Sequence, residues 1–340
     1  MRLEILKQQM LLPEKEILIN KKVEIAGYSA ILVSITSQGN KNVLWVMYHQ
    51  PHFLTDEPGE RREYFTNREE MVSNICSHHT PHVHFPEIII QGQRMTFSSS
   101  SAYRIRDNNN SAYMQLQHFV ENGMSVALFD KIDLSDMMIA SYEQNEGEAF
   151  PQIDLSQELD ITLKVARSSK EVLINQPLHL EFGNMEKGQK FSFYDSINEK
   201  DRFFFVDSIE HYDIWQEAEH HFSSEKMKMF SAQQIEEMKK QYFKCVEKTC
   251  PKGMDLAIIK YESEDNIQLN FYSKEFLDER PVHNNSSSST MFFTSDKEPG
   301  INGLKSRICI IKPVPKDFKE NMDIELFSWI MQIPEYSIQA

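Results

Sequence analysis

Apolar runs rich in β-branched and aromatic residues, bounded by turn formers, recur along the whole chain and predict strands more often than helices. The first two, 23–35 and 43–48, flank the polar stretch Thr36-Ser-Gln-Gly-Asn-Lys-Asn42 and read as a hairpin. A second hairpin is predicted from 190–196 and 202–209, on either side of Ile197-Asn-Glu-Lys-Asp201. Further strands are expected at 87–91, 113–117, 125–129, 254–261, 267–272 and 307–311. The run Phe203-Phe-Phe205, followed by Val206, suits a strand buried on both faces or packed beneath a helix.

Helical spacing is clearest after Ser231. Ser231 and Gln234 fit a capping box, in which each side chain satisfies a free backbone N–H of the other. Ile235, Met238, Tyr242, Cys245 and Val246 then fall three and four apart, which predicts one buried stripe. Lys239, Lys240, Lys244 and Lys248 crowd the second half, where they complement the negative end of the helix dipole, and Pro251 stops the helix. Shorter helices are predicted at 67–77 and 214–222, and exposed polar loops at 98–101, 108–110 and 283–290.

The hexapeptide Lys15-Glu-Ile-Leu-Ile-Asn20 returns as Lys170-Glu-Val-Leu-Ile-Asn175, differing only at Ile17 and Val172. Acidic and polar residues around Gly147 and Pro151 mark a boundary between them. The expected architecture is therefore α+β, with antiparallel sheets partly covered by helices. It has an N-terminal module over 1–150 and a C-terminal module over 151–340, with tandem duplication as one origin for the matching hexapeptides. Duplicated modules would pack about a pseudo-two-fold and leave a groove between them as the default binding site.

Composition narrows the partners. The 340 residues are 40% hydrophobic and 26% charged, as in ordinary globular proteins. The net charge is −15. Residues 1–150 hold 13 basic and 19 acidic side chains and 151–340 hold 23 and 32, so neither half offers a field that attracts nucleic acid or anionic lipid. Four cysteines are too few for a disulfide framework, and the first twenty residues lack the apolar core of a signal peptide. A soluble cytoplasmic protein is expected, with a protein or a neutral or cationic small molecule as partner, no nucleic acid and no membrane.

Chemistry is sparse by comparison. Glycine contributes only 11 residues, and no Gly-x-Gly, P-loop, Gly-x-Ser-x-Gly or His-Glu-x-x-His pattern occurs. No cofactor is expected, with the exception of a transition metal. The segment Cys76-Ser-His-His-Thr-Pro-His-Val-His84 could supply His79, His82 and His84 as imidazole ligands. His49, His52 and Glu87 are further candidates to complete the set, and a solvated histidine-rich loop is the competing reading. Cys245 and Cys250 are too far apart for a thiolate knuckle and read as core. Glu217, Glu219, His220 and His221 diverge around a helix, and Asp130, Asp133 and Asp136 read as a solvated cluster. Two functions of different class follow: a non-catalytic binding or interaction protein, which the missing catalytic patterns favour, and a metal-dependent enzyme built on His79, His82 and His84.

Overall fold

The computed structural model describes residues 4, 7, 9–25, 28–50, 65–78, 84–105, 109–224, 227, 229–281 and 299–340. They form a mixed α+β structure dominated by antiparallel strands. The chain divides into two compact units, one of 1–61, 80–170 and 332–340, the other of 62–79 and 171–331. Both are discontinuous in sequence. The first reaches past the 150/151 boundary expected from composition because β7 (Ile161–Val165) pairs with β4 (Glu87–Ile90), and β15 (Tyr336–Gln339) pairs with β7 in turn.

In the first unit β1 (Lys15–Ile25), β2 (Tyr28–Gln38) and β3 (Lys41–His49) form a meander. The apolar run 23–35 is thus two strands, with Ile25 opposite Tyr28. The β2–β3 reversal is tight because Gly39 and Asn40 both take positive φ, the requirement of a two-residue hairpin turn. The sheet continues through β6 (Met137–Gln144), β5 (Gln93–Arg104), β4, β7 and β15. Every one of these eight strands places side chains in or against one cluster around Leu32, Val46, Ile88, Tyr142 and Leu163, so the sheet curls about it. Its other face buries Ile31, Trp45 and Ile139 against Ala112 and Phe119 of helix α2 (Asn110–Glu121).

Three expectations fail in this unit. Residues 113–117 are helical, since Asn109 accepts from the Ala112 N–H as N-cap, and Tyr113, Leu116 and Phe119 recur at helical spacing against the sheet. Residues 125–129 lie in no strand. The serines of 98–101, expected as a loop, belong to β5, where pairing with β6 supplies the backbone partners that their composition concealed.

In the second unit a four-stranded sheet, in the order β13 (Ser306–Pro315), β11 (Met254–Ser263), β10 (Lys200–Tyr212), β9 (Gly183–Asp195), accompanies a three-stranded sheet of β12 (Gln268–Ser273), β14 (Met322–Ile333) and β8 (Ser168–Leu180). Phe204, Val206, Ile259 and Tyr261 from the first sheet share one core with Leu269, Leu326 and Leu180 from the second. On the opposite face of the four-stranded sheet, Leu256 and Ile258 pack with Ile214 and Ala218 of α3 (Ile214–Ser223) and Val246 of α4 (Ala232–Thr249). Helix α1 (Arg68–His78) and the short α5 (Lys274–Asp278) contribute Cys76 and Leu277 to a small cluster with Phe327. Phe203 and Phe205 are only half-buried on the outer face, under the ammonium group of Lys190, while Phe204 between them is fully enclosed.

The capping box at Ser231 and Gln234 is present, and α4 ends at Cys250. Its stripe is less enclosed than its spacing implies: Val246 is buried, but Met238 and Tyr242 remain 39% and 38% exposed. The repeated hexapeptides both begin on an opening strand, and Asn20 and Asn175 both take positive φ. The apolar positions three and five residues beyond each asparagine, Val23 and Ile25 in one strand and Leu178 and Leu180 in the other, are all buried. The neighbours differ, since β1 lies beside β2 and β8 beside β14.

Candidate functional site

Strand β10 carries a bulge at Asp207. Val206 pairs with Tyr261 of β11 and Ser208 with Lys260, so Asp207 is the extra residue. On the other side the register with β9 also shifts, from Gln189 opposite Val206 to Asn184 opposite Ser208. The bulge switches the side-chain parity of β10. Phe204 and Val206 precede it in the core, Ile209 follows it in the same core, and Ser208 and Glu210 turn to the outer face.

On that outer face lies a concavity of about 520 Å³, wholly within the second unit. Asn184, Asp207, Ser208, Glu210, Lys260 and Ser306 supply its polar wall, and Pro299, Ile301 and Ile308 supply the apolar one. Lys260 and Glu210 form an ion pair across β11 and β10. Beside them Glu262 is fully buried and is gripped by the turn that follows Pro299. The backbone N–H groups of Asn302 and Leu304 donate to its two oxygens at 2.7 and 2.6 Å, and the Asn302 amide adds a third bond at 3.3 Å. That approach depends on Gly300, where a Cβ would run into the Glu262 carboxyl.

Asp207 is treated differently. It is 6% exposed, and its Oδ1 is buried without a hydrogen-bond partner among the described residues. Gly188, at φ +68°, leaves this oxygen room, since a Cβ there would approach it to 2.9 Å. Burial, followed by the charge of Glu262 and a hydrogen bond with it, pushes the Asp207 carboxyl up to about 7, against a smaller opposing pull from Lys260.

Of the metal ligands expected from sequence, His79 and His82 lie outside the described residues, as does His52. His84 is half-buried, with Nδ1 3.2 Å from Ser100 Oγ of β5. Glu87 is engaged by Arg94 at 2.7 Å, and His49 ends β3 opposite Met137. Among the described residues no group of three or more His, Cys, Asp and Glu side chains is placed to hold a metal ion. Cys245 is half-buried and Cys250 buried, both as free thiols, and burial raises the Cys250 pKa. Glu217, Glu219, His220 and His221 are all exposed along α3. Asp133 caps a short turn through Ser135.

A second cluster in this unit sets a lysine against two carboxylates. His211 Nδ1 lies 3.4 Å from Asp255, its Nε2 meets the Phe318 carbonyl oxygen at 3.0 Å, and Lys316 bridges Asp213 at 2.8 Å and Asp255 at 3.5 Å. These contacts tie β10, β11 and the 316–318 turn together, with each carboxylate facing a cation. The sequence signal missed for the Asp207 site was twofold: a carboxylate set directly after an all-apolar Phe-Phe-Phe-Val run, and two glycines in Pro299-Gly-Ile-Asn-Gly-Leu304, a local concentration in a glycine-poor chain. Compared with known proteins, the chain matches no family model, no curated protein and no solved structure.

Proposed function

We propose that this chain is a non-catalytic binding protein and that the concavity over Asp207 in its second unit takes the ligand, a neutral or cationic small molecule. One observation carries the reading: a nearly buried carboxyl, Asp207, and the ion-paired Glu210 and Lys260 line one concavity, so its wall presents fixed polar groups to whatever enters. The mixed wall supports the same reading, with Ile301 and Ile308 for an apolar body and Asn184, Ser208 and Ser306 for orientation. An anion is disfavoured because Lys260 is already paired with Glu210 and the chain is acidic throughout.

This reading locates the site inside one unit rather than in the inter-module groove that a duplication would suggest. The matching hexapeptides and their left-handed asparagines support a repeated origin for the two opening strands alone. A cytoplasmic setting belongs to the proposal, supported by four free cysteines. No helix among the described residues is long and apolar enough to cross a membrane.

The test is an amide-resolved NMR screen of the full chain against short alcohols, amides and alkylammonium ions. Binders should perturb Ser208, Lys260 and Ser306, and the perturbations should disappear in Ser306→Trp, which fills the cavity. Binding that is unchanged in that variant, or no binding from any of the three classes, would overturn the proposal.

A further inference from the structure

We propose that a second copy of this chain docks on the exposed side of α4, in an antiparallel helix pairing about a two-fold axis. Only the C-terminal end of the helix is seated: Val246 and the C-cap Cys250 are buried with Leu256 and Ile258 of β11, whereas every residue of 232–242 except the half-buried Ile235 is exposed. That free half carries the apolar stripe. At about 100° per residue, Met238 and Tyr242 project within about 40° of each other. Both stay exposed, although Phe222 of α3 packs edge-on against the Tyr242 ring at 5.5 Å. Met229, 80% exposed, and Phe230 precede the cap and extend the apolar surface. A helix in a protein is held mainly by what its apolar face buries, and half of this face has no cover among the described residues.

The charges beside that stripe select the partner. Glu237, Gln241, Lys244 and Lys248 follow one another at spacings of three and four along one flank of Met238 and Tyr242, with the acid toward the N-terminus and the lysines toward the C-terminus. The two lysines have no side-chain partner among the described residues, and Glu237 meets only the Gln241 amide. Elsewhere in this unit lysines are matched, as in Lys260 with Glu210, Lys274 with Glu69 and Lys316 with Asp213. A copy of the helix running the other way, about an axis midway between 240 and 241, sets Glu237 against Lys244 of the second copy and Met238 against Tyr242, and each contact occurs twice. Such an axis brings the same flank of both helices together, so acid and base have to share one side, as they do here. A parallel pairing would set acid level with acid and lysine level with lysine, and would align the two helix dipoles. A partner whose face carries a single sign of charge would meet either the acid or the lysines unfavourably. The net charge of −15 repels copies at long range, so the dimer is a weak one.

The experiment is sedimentation velocity of the full chain over about a hundred-fold range of concentration, since a self-associating species grows with concentration by mass action. The parent should pass from monomer toward dimer. Glu237→Lys leaves the flank wholly basic, and Lys244→Glu combined with Lys248→Glu leaves it wholly acidic. Each of these variants alone should self-associate about ten-fold more weakly than the parent, because symmetry counts every change twice. Mixed together, with one of them fluorescently labelled, the two should form a heterodimer about as readily as the parent forms its homodimer. Met238→Glu, within the apolar stripe, should remove self-association altogether. The substituted side chains are all exposed, so thermal melts of the variants should match the parent. A parent that stays monomeric throughout would overturn the proposal and leave the surface to a partner of other sequence. Charge variants that dimerise as well as the parent, or a mixture of the two that stays monomeric, would overturn it equally.

Discussion

Strand β10 carries one carboxylate partner at its hairpin end and another in its bulge, and the protein treats the two in opposite ways. Asp195, where β9 meets β10, is fully buried yet fully matched. Arg202 Nε donates to it at 2.6 Å, the Asn198 amide at 2.8 Å, and the backbone N–H groups of Ile197 and Asn198 at 3.0 and 3.1 Å. Arg202 in turn reaches Asp265 and lies 5.2 Å from the Trp329 ring. Asp207, almost as deeply buried, has the carboxylate of Glu262 as its leading ionisable influence and forms no ion pair among the described residues. Burial works against the charge in both places. At Asp195 the hydrogen bonds from Arg202 and Asn198 prevail and hold the carboxyl below its ordinary range; at Asp207 burial prevails. The number of donors aimed at a carboxylate, more than its depth, separates the structural joint at Asp195 from the candidate site at Asp207.

The sharpest way to break this comparison is to remove the match at the hairpin. Arg202→Met should cost about 3–5 kcal/mol in urea denaturation at pH 7, because it leaves Asp195 buried and charged without its cation. The pH profile carries a second signature. Asp195 is depressed in the fold, so its contribution is present above the unfolded carboxyl value of about 3.9 and is lost as pH falls into the acid range. Arg202→Met should therefore lose much less stability on acidification than the parent chain does. A cost below about 1 kcal/mol would mean that the hairpin match is ornamental and the contrast with Asp207 unfounded.

The next effect has the opposite sign. The folded carboxyl of Asp207 lies above its unfolded value, so its contribution is fully present below about 3.9 and is lost as pH rises through about 7. Asp207→Asn should consequently stabilise the fold at pH 8, by about 1–2 kcal/mol, and give no gain at pH 4. Thermal and urea unfolding at the two pH values check this. An equal gain at both would show that the effect is packing and not ionisation.

The same contrast explains how much could be read from sequence. The Ser231 and Gln234 cap, α4 and the β9–β10 hairpin rest on residues close together in the chain, and local spacing revealed them. The burial of α4 did not follow, because a stripe reports only that one face is apolar; what Met238 and Tyr242 meet depends on α3 and β11, and those leave both residues partly open. Strand β5 was hidden by its serines, since its strand character comes from pairing with β6. The sequence of helix α2 reads as a strand because five residues around Tyr113 are too short a window to separate the two periods. The candidate site escaped for the strongest reason. Its parts are a bulge in β10, a glutamate on β11 and a glycine turn after Pro299, and only tertiary structure brings these segments together.

The smallest predicted effect is the finest probe of the site. Lys260 opposes the upward shift of Asp207, and it is itself half-exposed and paired with Glu210. An exposed pair of this kind contributes about 0–1 kcal/mol, so Lys260→Gln should change stability by no more than about 0.5 kcal/mol. The titration of Asp207, followed by carboxyl-carbon NMR, should nevertheless move upward by a fraction of a pH unit, because a positive charge is removed and Glu210 is left to add its own negative field. Neutralising both partners, in Lys260→Gln with Glu210→Gln, should bring the midpoint back toward the parent value, since the two perturbations have opposite sign. A downward movement in the single variant, or a double variant displaced further than the single, would show that Asp207 answers to groups other than the β10–β11 pair. The contrast with Asp195 would then rest on neighbours not among Glu210, Lys260 and Glu262.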